Sequence, residues 1–260
     1  MNVISIGKGI PVVLLHSAMS SKLQWFKLMH AMSSDYLMIA VDFYGYGDSP
    51  FPGHTASFSL SDEITLMESL LDGIIPPGEP FHLVGHSYGG AVGLRFCYKA
   101  EERIRSLTFF EPVAYHLLPE TDEVLAEVRH LQAVVNNYIK DGKYAAAAEH
   151  FLDYWNGAGT FSNYPEEVQD LLSGGAKKLP LGFQALMEEP LSLEDYSKIK
   201  RPVCLIAGRQ SPFASRRVAE LLVDYLPGCH LKWVSGGHMA PILQTDEVNA
   251  IIEPFIRQVK

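Results

Sequence analysis

The sequence predicts an α/β fold, a mostly parallel central sheet flanked by helices, with a helical segment inserted into it. Apolar runs of strand length alternate with helical patterns over most of the chain, which is how a parallel sheet covered on both faces reads. The first of these runs, residues 11–15, is continuous rather than alternating, as a strand buried on both sides requires. The rhythm lapses between residues 113 and 200, where only helical patterns are found. At 260 residues the chain has the length of one such domain, with or without a small insertion.

Residues 11–15 give a first buried strand and residues 23–32 a helical stretch. The next strand spans 37–41 and ends at Asp42 and a glycine-rich turn. Residues 59–75 read as an amphipathic helix, because Ile64, Met67, Leu71 and Ile74 recur at helical spacing. Ser59 is its expected N-cap, and Pro76, Pro77 and Gly78 its stop. A strand over 81–84, a helix over 91–100 and a strand over 104–110 follow. Within the inserted segment, helices are expected over 123–139 and 144–155, with breaks at residues 157–159, at Gly174 and Gly175, and at Pro180. The alternation resumes with a strand over 202–207, a helix over 215–225, a strand over 230–234 and a last helix over 247–259. The expected organisation is a core made of residues 1–112 and 201–260, with a helical cap over 113–200.

Composition excludes several classes. With 47% hydrophobic and 20% charged residues the chain can bury a large core. A net charge of −9 without clusters of lysine and arginine argues against a nucleic-acid partner. Cys97, Cys204 and Cys229 lie in or beside apolar stretches and read as buried free thiols. No disulfide framework is implied, which fits a reducing, cytoplasmic setting. Residues 1–19 lack the apolar core and cleavage pattern of a signal peptide, and no stretch approaches the ~20 apolar residues of a membrane span. The expectation is a soluble protein whose partner is a small-molecule substrate. No heptad pattern speaks for or against oligomers.

The most informative stretch is Gly85, His86, Ser87, Tyr88 and Gly89, a G-x-S-x-G pattern after a strand and before a helix. That context has a steric logic. The serine occupies a strained turn so that its oxygen projects from the sheet, and side chains at Gly85 or Gly89 would clash. The following helix turns its positive end toward a developing oxyanion. On these residues the chain resembles the α/β-hydrolase fold superfamily, in its serine hydrolase branch with a helical cap, and the resemblance extends over essentially the whole sequence. It implies that the cap is inserted after the sixth strand of the family.

Three further segments look like that family. His16, Ser17 and Ala18 follow the first buried strand, where the family usually has His-Gly and an oxyanion-hole residue, so Ser17 is a departure. The resemblance implies the backbone N–H groups of Ala18 and Tyr88 as oxyanion donors; His16 reads as a turn-stabilising histidine. The turn from Asp42 to Ser49, with Gly45 and Gly47, is similar to a structural turn of the family, with Asp42 capping neighbouring amides. Gly236, Gly237 and His238 follow the last strand, where the family carries its catalytic histidine. The resemblance therefore implies Ser87 as nucleophile and His238 as general base.

A triad also needs a carboxylate to fix the histidine tautomer, and its loss costs about 10⁴ in turnover in a serine protease. Relatives mostly supply an aspartate in a Gly-x-x-Asp loop after the strand that follows the cap. Here Gly208 is followed by Arg209, Gln210 and Ser211, so the usual acid is absent. Glu111, at the end of the strand over 104–110, is the replacement expected. Adjacent strands are only ~4.8 Å apart, and glutamate is longer than aspartate. Pro112 is expected to keep Glu111 extended. Asp195 and Asp224 are weaker candidates, the first lying before the strand and the second inside a helix.

A serine nucleophile disfavours the dehalogenase and epoxide-hydrolase branches and leaves acyl transfer, with a small or medium carboxylic ester as the expected substrate. Cysteines and histidines do not cluster at ligand spacings and no phosphate-binding loop is present, so neither metal nor cofactor is expected. The cap aromatics Tyr115, Tyr138, Phe151, Tyr154, Trp155, Phe161 and Tyr164 are mostly packing residues, with a few lining the pocket. Alternatives are a carbon–carbon bond hydrolase of ring-cleavage dienones, a cofactor-free perhydrolase, and a ligand-binding receptor with slow or no hydrolysis.

Overall fold

The computed structural model describes residues 2–259. Among them, seven strands form one sheet: β1 (Val3–Ile6), β2 (Ile10–Leu15), β3 (Tyr36–Val41), β4 (Phe81–His86), β5 (Ile104–Phe110), β6 (Val203–Gly208) and β7 (His230–Val234). Their order is β1-β3-β2-β4-β5-β6-β7. All neighbours pair in parallel except β1, which runs antiparallel along β3. The sequence pattern gives no strand before residue 11, because β1 is a four-residue edge strand with no buried residue.

The sheet is covered on both faces. Val13 and Leu15 of β2 pack with α2 (Leu60–Leu71) and α3 (Tyr88–Lys99), while Val12 and Leu14 face α1 (Phe26–Met32) and a C-terminal helix. This is why β2, β3 and β6 read as unbroken apolar runs. Helix α2 has the expected Ser59 cap, closed reciprocally by Asp62, but ends at Leu71 rather than residue 75. Asp72 leaves the helical region and Gly73 takes φ 78°, so Ile74 keeps its apolar spacing in a turn. Helix α3 begins at Tyr88, three residues before the sequence expectation, because Gly89 and Gly90 mask its first turn.

Between β5 and β6 lie α4 (Glu123–Lys140), α5 (Tyr144–Asn156), α6 (Glu166–Ala176), α7 (Leu179–Met187) and the single turn α8 (Leu193–Tyr196). Gly174 and Gly175 fall in the last turn of α6, and Pro180 in the first turn of α7, where a missing N–H leaves no helical bond unmade. They mark helix ends rather than open breaks. The inserted helices are tied to the rest of the chain by Lys178, between α6 and α7, whose ammonium meets the buried Glu63 of α2 at 2.9 Å. The same ammonium lies 4.4 Å from the ring centre of Phe58 and 5.0 Å from that of Tyr88. After β6 come α9 (Phe213–Tyr225), the turn α10 (Ala240–Leu243) and α11 (Thr245–Gln258). No helix among the described residues is long and apolar enough to cross a membrane.

Candidate active site

The ends of β4 and β5, adjacent in the sheet, and the loop after β7 converge at one place. Ser87 leaves β4 at φ 55° and ψ −115°, a conformation costly for any residue but glycine. Its N–H is fixed by the carbonyl of Phe110 at 2.9 Å. The two glycines of the motif are there for clearance. A Cβ on Gly85 would stand 2.6 Å from the oxygen of Gly89, and one on Gly89 would stand 2.5 Å from the oxygen of Leu15. Only without those side chains can strand, turn and helix close this tightly, leaving the serine oxygen at the start of α3.

His238, on the loop between β7 and α10, has its Nε2 3.0 Å from Ser87 Oγ and its Nδ1 2.6 Å from Glu111 Oε2. A carboxylate oxygen can only accept, so Nδ1 carries the proton and Nε2 is left to accept from the serine hydroxyl. The second carboxylate oxygen of Glu111 accepts the N–H of Gly208 at 2.7 Å, and the side chain is fully buried. Glu111 thus spans from β5 to the tip of β6. It does so from a left-handed backbone, φ 42°, and not from the extended one expected before Pro112. The positive φ turns the side chain out of the strand line, and Pro112 settles against Gly90, where a Cβ would meet it at 2.9 Å. Ser211 is also buried at this end of the sheet, with its Oγ unpaired among the described residues. Asp195 instead caps α8 at Ser192, and Asp224 lies within α9.

Neither the N–H of Ala18 nor that of Tyr88 has a protein acceptor among the described residues, and both residues line the hollow beside Ser87. His16 is structural: Nδ1–H donates to the carbonyl of Ser17 at 2.7 Å, and Nε2 accepts the N–H of Phe43 at 3.1 Å. Burial pushes its pKa down to about 4, so it stays neutral. Asp42 caps as expected, accepting the N–H of Lys22 at 2.7 Å and that of Asp48 at 2.9 Å.

A second chain of hydrogen bonds was not legible in the sequence. The N–H and the hydroxyl of Ser17 both donate to Gln24 Oε1 at 3.1 Å, and Gln24 Nε2 donates to His86 Nδ1 at 3.1 Å. His86 Nε2–H then donates to the backbone oxygen of His238 at 2.8 Å. Burial first, and the nearby His238 second, hold His86 well below its ordinary pKa, which keeps it in this neutral form. The departure at Ser17 is thereby explained, since its hydroxyl is one of the two donors to Gln24. His86 sits inside the serine motif and could have been suspected; nothing in the sequence marks Gln24.

A cavity of about 710 Å³ opens above these groups, lined on one side by Ser87, His238 and Ser211 and on the other by Phe151, Tyr154, Trp155 and Tyr164. Trp155 of α5 lies over the His238 ring, with centres 4.7 Å apart and planes tilted by 32°. Of the other aromatics, Tyr115 lines a smaller hollow, whereas Phe161 is buried in the apolar core and Tyr138 packs against it. Among the described residues no group of three or more His, Cys, Asp or Glu side chains stands together as a metal site.

A doubly covered, mostly parallel sheet with a strained serine between its central strand and the next helix is the architecture of the α/β hydrolases. The chain belongs to the alpha/beta hydrolase family, whose model matches residues 12–251. Among curated proteins it is 31% identical over 122 residues to the cis-3-alkyl-4-alkyloxetan-2-one decarboxylase of Shewanella oneidensis, covering 46% of this chain and 38% of that protein. It is 30% identical over 107 residues to a haloalkane dehalogenase of Agrobacterium fabrum, covering 41% and 34%. The matched part is thus little over a third of either relative. Similar solved structures include an α/β hydrolase from a Medee basin deep-sea metagenome library, with a TM-score of 0.83 at 18% identity over 99% of this chain and 94% of that one. A thermophilic esterase from Thermogutta terrifontis gives 0.77 at 20% identity over 99% and 93%. At these identities the structures share the fold.

Proposed function

We propose that the protein hydrolyses small or medium carboxylic esters through an acyl-enzyme, with Ser87 as nucleophile, His238 as general base and Glu111 as the acid of the triad. The observation that carries this reading is the unbroken hydrogen-bonded chain from Ser87 Oγ through His238 to Glu111, set on a strained strand-to-helix turn. Ser87 Oγ attacks the ester carbonyl as its proton passes to His238 Nε2. The carbonyl oxygen, now negative, is received by the N–H groups of Ala18 and Tyr88, a kind of contact worth about 10²–10³ in turnover per donor. His238 then returns the proton to the departing alkoxide. A water deprotonated by the same nitrogen releases the acid and restores the serine. Glu111 holds the imidazole in the needed tautomer and balances its charge when protonated.

A fluorophosphonate probe followed by intact mass tests this reading without knowledge of the substrate. One adduct per chain is expected, absent from Ser87→Ala, and labelling of Glu111→Gln is expected to be slower by orders of magnitude with the thermal melt intact. A folded wild-type protein that takes up no probe would refute the proposal. Near-wild-type labelling of Glu111→Gln would remove Glu111 from the triad.

A further inference from the structure

Two hollows meet at Ser87, and they are very unequal. The one of about 710 Å³ carries His238 in its wall, together with Gly237 and Met239. The other encloses about 30 Å³ and is bounded by Val113, Tyr115, Leu179, Phe183 and Leu186; Ser87, Ala18 and Tyr88 line it, and His238 does not.

From this inequality, and resting on the ester-hydrolase reading, we infer that the enzyme takes esters of a short, uncharged acyl group with a larger alcohol. The argument is one of directions around a single carbon. In the tetrahedral intermediate the carbon holds Ser87 Oγ, the oxyanion, the leaving oxygen and the acyl chain. The oxyanion goes to the N–H groups of Ala18 and Tyr88. The leaving oxygen must lie beside His238 Nε2, because that nitrogen supplies its proton, and hydrogen-bond reach is about 3 Å. The alcohol therefore extends into the large hollow, whose wall His238 forms. Only the small hollow remains for the acyl chain. On the same measure the two spaces are about 30 and about 710 Å³, so a chain that fits the larger freely is crowded in the smaller. The smaller space suits a short acyl group such as acetyl, and the leucines, valine and phenylalanine around it disfavour charge.

Two isomeric esters read this out, hexyl acetate and ethyl hexanoate, which contain the same atoms with the long chain on opposite sides of the carbonyl. kcat/KM is expected to favour hexyl acetate by at least about tenfold, since a single misfitting methylene in an apolar pocket is worth ~10–200-fold. Leu186→Ala enlarges the small hollow and should lower that ratio. Gly182→Val acts in the opposite sense: a Cβ at Gly182 meets only the ring of Tyr88, at an ordinary 3.7 Å, so a longer side chain fills the hollow and should sharpen the preference for acetate over butyrate. A ratio at or below one in the wild-type protein overturns the inference while leaving an ester hydrolase in place. Probe labelling of Ser87 with turnover of neither ester would overturn the ester reading and this inference with it.

Discussion

Gln24 joins two loops that must keep a fixed separation, the one carrying the N–H of Ala18 and the one carrying His238. Because it bonds to backbone and to His86 rather than to a reacting atom, it is a positioning residue. On the proposed mechanism, Gln24→Leu is expected to lower kcat by tenfold or more with KM little changed, since loosening the loop that carries the N–H of Ala18 would weaken transition-state contacts selectively. A variant that changed only the melting temperature would show the contact to be structural. Ser87 and His238 were readable because a motif and a chain position mark them. Glu111 is legible through the resemblance, which sets its strand beside the one that ends at Gly208, where Ser211 stands in place of an acid. The Gln24–His86 bridge was not, because its bonds join residues 62 and 152 positions apart and use side chains with many other roles. The left-handed backbone of Glu111 was likewise hidden, since a residue before proline ordinarily reads as extended.

Among the elements, strands β2, β3 and β6 are legible because burial on both faces leaves continuous apolar runs, whereas β1 and β7 are the two edges of the sheet and carry no such run. Helix limits were missed wherever glycine or proline sits inside a terminal turn, as in α3, α6 and α7. The contact that seats the inserted helices was invisible for another reason: Lys178 and Glu63 are 115 residues apart and both are almost wholly buried. Lys178→Met leaves the Glu63 carboxylate buried without its counter-charge. The expected cost is about 3–5 kcal/mol in chemical denaturation, with much of it recovered when Glu63→Gln is added. A single variant as stable as the wild type would mean that Tyr88, Tyr44 and their neighbours suffice to hold Glu63.

For the molecule as a whole, burial keeps four histidines neutral: His16, His82 and His116 near about 4, and His86 well below its ordinary value. In the unfolded chain each returns to ~6.5 and takes up a proton that the folded chain excludes. Their stabilising contribution is therefore complete above pH ~6.5 and is lost as pH falls toward 4, by up to ~1.4 kcal/mol per pH unit for each group. The melting temperature should fall steeply between pH 6.5 and 4.5, less steeply in His82→Phe; a flat profile would contradict this account. The overall architecture was legible from the sequence, but the size of the two hollows was not, because it depends on how α5 and α7 rest over the sheet. The partner of His238 is also the residue after β5, and Pro112 is the next before the chain departs into those helices. Anyone grafting another helical segment onto this scaffold would thus find that two residues decide the outcome: a junction made after Pro112 keeps the carboxylate with the host, and one made after Phe110 hands it to the donor.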